Sequence, residues 1–367
     1  MPHRLSLVRR MAGLRRQYTA ETDSTVNPDM VYAASLLGDE DRRLLSAECD
    51  RAFAARLLNV QTIPASPRRI RDAVLPDATE KAQRALEASI LCAVARTTAH
   101  LDHPAATVGA WLAGRGGRVL RKVRPQLESL TLHVNAAAIA PLPFELLPRV
   151  TRDGGLVGVP GLRAVLHRRC AELYVLDSPA RVTLANLTYR QWTAAMAFVD
   201  AVDGENPLRW LGNDPTPLRE EERDRLVQAP LEPKIDSLLS ALLRRFGLFA
   251  TTARLSVRRI ACDEIEIEWR ESPTVEAVAA RLVHAVAGLP SDFPVVLQGD
   301  RLKIADLDEG WTVVLGRMRV DDIGPLDENA AEASARWLAW SREMSRPNPT
   351  WPRSLAVERW VITAQQS

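Results

Sequence analysis

The alternation of apolar and polar residues along the chain predicts two similar α+β modules in tandem. Apolar residues occupy every second position in Leu130–Val134, and the same alternation returns in Glu264–Trp269. This period is typical of a half-buried β-strand. Each run follows a helix and another apolar strand, and precedes a helix, three short strands and a helix that carries tryptophan. The recurrence of one element order predicts an internal duplication.

The same pattern divides the chain into segments, and the predicted fold class is α+β with an α-rich N-terminal region. Residues 203–233 are rich in Pro, Asp and Glu with little periodicity, which is typical of a linker. The predicted segments are a basic N-terminal arm (1–20), an α-rich region (21–114), a first α+β module (115–202), this linker, a second α+β module (234–345) and a C-terminal tail with Pro and Trp (346–367).

The strand Glu264–Trp269 gives the most specific prediction of burial. Its apolar residues Ile265, Ile267 and Trp269 are expected in the core, and the three intervening glutamates are expected to be largely exposed. Arg258 on the preceding strand is expected to form a cross-strand ion pair with these glutamates. If the modules are duplicated, Leu132 and Ile267 hold equivalent core positions.

Composition limits the class of protein more than its function. The chain has 367 residues, 46% of them hydrophobic, and a net charge of only +2. Arginine greatly outnumbers lysine, a bias typical of high-GC bacterial genomes. No apolar run reaches the roughly 18 residues that a membrane span needs, and the cysteines are too dispersed for a metal site. We therefore expect a cytoplasmic protein with no membrane partner and no predicted oligomeric state.

Common catalytic and cofactor motifs are missing from the sequence. It contains no phosphate-binding GxxxxGK[ST] loop, no HExxH, no GxSxG and no CxxC pair. Residues 154–161 are rich in glycine, but a strand rather than a helix is expected after them, so a flexible turn is favoured over a dinucleotide site. No cofactor is predicted, and a non-catalytic protein is favoured.

The alternative is a metal-dependent hydrolase or nuclease-like enzyme with an acidic site in the second module. Asp300, Asp306 and Asp308 are its candidate ligands, because hard divalent cations bind clustered carboxylates. Asp300 and Lys303 also approach the acid-to-lysine pattern of restriction-type nucleases. One residue too many separates them, which places the two side chains on opposite faces of a strand.

Clustered basic residues support the other hypothesis, an interaction protein. The candidate residues for binding nucleic acid or an acidic protein lie in the N-terminal arm and in the first predicted hairpin: Arg9, Arg10, Arg15, Arg16, Arg115, Arg118, Arg121, Lys122 and Arg124. Helices predicted at 85–98 and 104–113, followed by this hairpin, resemble in outline a winged helix-turn-helix with a basic wing. The duplication assigns the same hairpin to the first module instead. The predicted function is binding of a protein or nucleic-acid partner.

Overall fold

A computed structural model describes residues 6–50, 65–101, 119–150, 155–203, 217–228, 233–249, 254–261, 263–270, 272–290, 292–305 and 310–318. Helices dominate the N-terminal region, as the sequence predicts. They are α1 (Leu7–Thr19), α2 (Asp23–Leu36), α3 (Asp39–Asp50) and α4 (Arg68–Val74).

Helix α1 is part of the core, so the predicted basic arm is wrong for residues 7–19. Ser6 caps the helix by accepting a hydrogen bond from the backbone N–H of Arg9. Met11, Leu14 and Tyr18 are buried on one side of the helix. The Tyr18 hydroxyl donates to the backbone carbonyl of Arg281 in the second module at 2.8 Å. This apolar stripe attaches α1 to the fold despite its many arginines.

The first module contains a five-stranded sheet with three helices in the surrounding sequence. The strands follow the order β1-β2-β7-β6-β5, in which β2 and β7 are parallel and the other neighbours antiparallel. The strands are β1 (Leu120–Pro125), β2 (Leu130–Val134), β5 (Leu162–Leu166), β6 (Cys170–Val175) and β7 (Arg181–Ala185). The other elements are α5 (Lys81–Leu101), α6 (Pro141–Leu146), α7 (Tyr189–Asp203) and a separate two-stranded sheet of β3 (Arg149–Val150) and β4 (Leu156–Val157).

Helix α8 (Glu220–Gln228) lies within the segment predicted as a linker, which is therefore not structureless. The carboxylate of Glu222 is fully buried and accepts hydrogen bonds from both Nη atoms of Arg163 at 3.0 Å. It also accepts one from the backbone N–H of Gly161 at 2.7 Å. These contacts hold α8 against the edge of the first sheet, next to β5.

The second module repeats the strand order of the first. Its sheet follows the order β10-β11-β12-β9-β8, and β9 is again parallel to the strand that closes the meander, β12. Its elements are α9 (Pro233–Arg244), β8 (Leu255–Arg259), β9 (Glu264–Trp269), α10 (Val275–Leu282), β10 (Val295–Gln298), β11 (Arg301–Ala305) and β12 (Thr312–Arg317). The predicted helix at 329–344 and the tail lie outside the described residues.

The strand register confirms that Leu132 and Ile267 are equivalent. Both are buried on the second strand of their sheet. Each has an apolar partner on both neighbouring strands: Val123 and Leu184 for Leu132, Val257 and Leu315 for Ile267. The same register excludes a hairpin that projects as the wing of a winged helix-turn-helix, because β2 pairs with β1 on one side and with β7 on the other. The basic hairpin is therefore an integral part of a sheet.

The first helix of each module packs against the other module. Helix α5 of the first module packs against α9 and against β8 of the second. In return, α9 contacts β1, and Arg244 donates to the backbone carbonyls of Gln126 and Ser129 in the turn between β1 and β2. The hydrophobic core is continuous across both modules.

Candidate partner-binding surface

Strand β1 and its neighbour β2 bring basic side chains together on one face of the first sheet. Lys122 and Arg124 are paired in register with His133 and Thr131, respectively. Because side chains alternate along a strand, these residues lie on the face opposite to the buried Val123. Arg121, at an irregularity in β1, is exposed and donates to the Asn135 side chain at 3.3 Å. We call the group of Arg121, Lys122, Arg124 and His133 the cationic face.

Burial and the positive charges of this face both lower the pKa of His133. Partial burial of the ring lowers the pKa from 6.5 to about 4, together with the charges of Lys122, Arg124 and Arg121. The neutral ring lies 3.1 Å from the Asn186 amide nitrogen through Nδ1, which fits an acceptor at that atom. A near-neutral protein therefore carries a locally positive surface here.

This pKa shift predicts a loss of stability in acid. Between pH 6.5 and about 4 the unfolded chain protonates His133 and the folded chain does not, so the free energy of unfolding decreases as the pH falls through this window. His133→Gln should remove that part of the pH dependence in urea denaturation. His167→Gln, which changes an exposed histidine of the same module, should retain it. Parallel pH profiles for His133→Gln and the unmodified protein would contradict this assignment.

Helix α2 lies against one side of the cationic face. Arg124 holds the carboxylate of Asp29 through Nη2 at 2.9 and 3.1 Å and through Nε at 3.2 Å. Lys122 donates to the hydroxyl of Thr25 at 3.1 Å, one turn earlier on the same helix. Arg15 of α1 approaches Asp29 from the core side at 3.8 Å. The face thus already holds one carboxylate from within the chain.

The structure brings only some of the predicted basic residues to this surface. Arg15 is wrong as a surface residue, because it is buried and donates to Glu21 at 2.7 Å. Arg9 is exposed, Arg10 donates to Ser46, and Arg16 pairs with Asp23. Arg115 and Arg118 lie outside the described residues. Asp29 is not among the residues predicted from sequence, and neither is His133, although its place opposite Lys122 is a usable signal.

The equivalent face of the second sheet is neutralised by its own strands. Arg258 stands in the position of Arg124, as the pairing of Val257 with Ile267 shows. Its guanidinium contacts Glu266 at 2.6 Å and Glu268 at 3.0 Å, which confirms the predicted cross-strand pairing. Arg301 contacts the same two carboxylates from β11, each at 2.9 Å.

Glu268 corrects the expectation that the glutamates of β9 are largely exposed. It is only 3% exposed, and Glu264 and Glu266 are half-buried. The reason is that Arg258 and Arg301 cover its carboxylate from both sides, and Gly316 on β12 leaves room for the Arg301 side chain. Sequence alternation identified the face but not the neighbours that cover it.

Of the three candidate metal ligands, only Asp300 belongs to the part of the chain that the structure describes. Asp300 lies in the turn between β10 and β11, whereas Asp306 and Asp308 are outside the described residues. Among the described residues, no group of three or more His, Cys, Asp or Glu side chains is arranged to hold a metal ion. A small apolar depression beside the end of β7, about 10 Å³ in volume and lined by Val134 and Leu184, has room for a single water.

Wider comparisons add no functional assignment. No protein-family model, curated protein or solved structure matches the chain. Among the helices that the structure describes, none combines the length and apolar character needed to cross a membrane. The surface itself is thus the basis for any functional argument.

Proposed function

We propose that the protein is a non-catalytic interaction protein whose cationic face binds an anionic segment of a partner protein. The observation that carries the proposal is the grouping of Arg121, Lys122 and Arg124 on one strand, on a sheet face whose counterpart in the second module is neutralised by glutamates. Clustered charge of one sign attracts a partner of the opposite sign and orients it. Neutral His133 adds a hydrogen-bonding group beside these cations.

A protein partner is favoured over nucleic acid by the amount and placement of charge. Affinity for duplex DNA is dominated by phosphate contacts from many cations. Here the net charge is +2, and the described cationic face has three arginine and lysine residues, one of which already holds a carboxylate. A carboxylate in this position shows that the face accommodates an acidic side chain on a helix.

The proposal predicts binding of a labelled poly-glutamate peptide, measured by fluorescence anisotropy at about 50 mM salt and weakening as salt screens the charges. The double variant Arg121→Glu/Lys122→Glu should lose about tenfold or more in affinity, because two attractive charges become repulsive. A matched control is Arg223→Glu/Arg225→Glu, which changes the net charge equally at exposed positions of α8.

The same assay includes duplex DNA, single-stranded DNA and RNA. Binding of these nucleic acids without binding of poly-glutamate would assign the face to nucleic acid instead. If no anionic probe binds, or if both double variants lose affinity equally, the cationic face is not the binding surface.

A further inference from the structure

We propose that Arg124 forms the carboxylate-binding subsite of the cationic face and that Asp29 fills it in the free protein, so that an acidic residue of the partner takes the place of Asp29. This inference rests on the proposed function and names the ligand of its central residue. It is carried by the geometry of the Asp29 contact, by the attachment of α2, and by comparison with the second module.

The contact between Arg124 and Asp29 has the form of a recognition site. Both carboxylate oxygens are engaged by one edge of the guanidinium, the planar arrangement that gives arginine its specificity for carboxylates. Neither group is sealed in the interior, since the side chains of Arg124 and Asp29 are 34% and 29% exposed. A carboxylate from outside can therefore reach the guanidinium once α2 moves away.

Helix α2 packs on the core through a small set of residues. Val26 and Met30 are buried and Ala33 and Ala34 are half-buried against the core, whereas Tyr32 and Leu36 are 67% and 68% exposed. Pro28 lies inside the helix and lacks the N–H for a helical hydrogen bond. Thr22 precedes the helix without forming a side-chain cap. Elements with few buried apolar residues and weakened hydrogen bonding open at low free-energy cost.

In the second module, the arginine equivalent to Arg124 is neutralised by glutamates of its own sheet. Arg258, the counterpart of Arg124, is paired with Glu266 and Glu268 of the adjacent strand. These partners belong to the adjacent strand of the same sheet, so they remain beside Arg258 as long as the sheet is folded. In the first module, threonine and histidine stand at the two equivalent positions, and the counter-charge comes from a separate helix. The arginine of the first module is thus the one that can be released to a partner.

Asp29→Asn tests the inference. Because a competing internal ligand reduces apparent affinity in proportion to the fraction of free sites, removal of its charge should raise affinity for poly-glutamate by about tenfold. Adding Arg124→Gln to Asp29→Asn should abolish the gain. Asp41→Asn is the control. Asp41 lies on α3, away from β1, and its carboxylate accepts a hydrogen bond from Arg69 at 2.7 Å, so removing its charge should leave the affinity for poly-glutamate unchanged.

Hydrogen exchange on the unmodified protein gives an independent test that requires no variant. Addition of poly-glutamate should increase exchange at the backbone amides of α2 and leave that of α5 unchanged. If Asp29→Asn binds no more tightly than the unmodified protein, or if the amides of α2 are not affected, Asp29 is not an internal ligand. The proposed function still stands in that case, provided that Arg121→Glu/Lys122→Glu loses binding. If no variant binds an anionic probe, the proposed function and this inference both fail.

Discussion

Replacing Glu87 with alanine should decrease the free energy of unfolding by about 3–5 kcal/mol, because it leaves a buried charge without its partner. Glu87 and Arg244 are both fully buried. The carboxylate accepts from Nε of Arg244 at 2.8 Å and from Nη2 at 2.7 Å. It also accepts from Ser240 at 2.6 Å and from Gln83 at 2.8 Å. The loss would be measured as a shift in the midpoint of urea denaturation.

Two further variants separate this cause from a general effect of substitution. Glu80→Ala, at an exposed position just before α5, should change the free energy of unfolding by no more than about 0.5 kcal/mol. Combining Glu87→Leu with Arg244→Met should recover part of the loss, because no uncompensated charge remains. A cost below about 1 kcal/mol for Glu87→Ala would show that water reaches the pair.

Ile267→Ala should cost about 2–5 kcal/mol, the range for large-to-small substitutions in a packed core. Ile267 is 1% exposed and lies between strands β8 and β12. Leu132→Ala should cost a similar amount, because Leu132 holds the equivalent position in the first sheet. Both would be measured by equilibrium denaturation, in which the two modules should unfold in one transition.

The control for this prediction is Val296→Ala on the edge strand β10. Val296 is 45% exposed, so its loss should change the free energy of unfolding by about 0.5 kcal/mol or less. Glu266→Ala should fall between the two, since its ion pairs involve the exposed Arg258 and contribute up to about 1 kcal/mol. A cost for Ile267→Ala no larger than that for Val296→Ala would mean that the faces of β9 are reversed.

The strands of the second module could be predicted from sequence because their signal is local. Alternation within Glu264–Trp269 predicts a strand with the same bounds as the structure shows. Helix α2 was missed because Pro28 and apolar residues on several sides give it no single stripe. Helix α8 was missed because its acidic start is typical of a solvated segment, and the arginine that buries Glu222 is 59 residues away in the sequence.

The candidate surface, too, could be predicted from sequence only where its residues are close together in the chain. The basic residues of β1 could be identified from sequence, since they stand in one short hairpin. The partner of Arg124 could not, because Asp29 is 95 residues away in the sequence and belongs to a different element. The surface position predicted for Arg15 was wrong for a related reason, because its burial depends on residues distant in the sequence, such as Pro125, whose backbone carbonyl accepts a hydrogen bond from Arg15.

The contact between α5 and α9 also affects how the chain folds during synthesis. Helix α5 is complete at Leu101, whereas α9, which supplies Arg244, begins at Pro233. At about 5–20 residues per second, the ribosome needs on the order of 10 s to make the intervening chain. Throughout that interval Arg244, the partner of Glu87, has not yet been synthesised. The side of α5 that packs against α9 in the folded protein is then accessible to chaperones and proteases. We therefore expect a nascent chain that stalls between the modules to be degraded rather than to persist as a stable half of the protein.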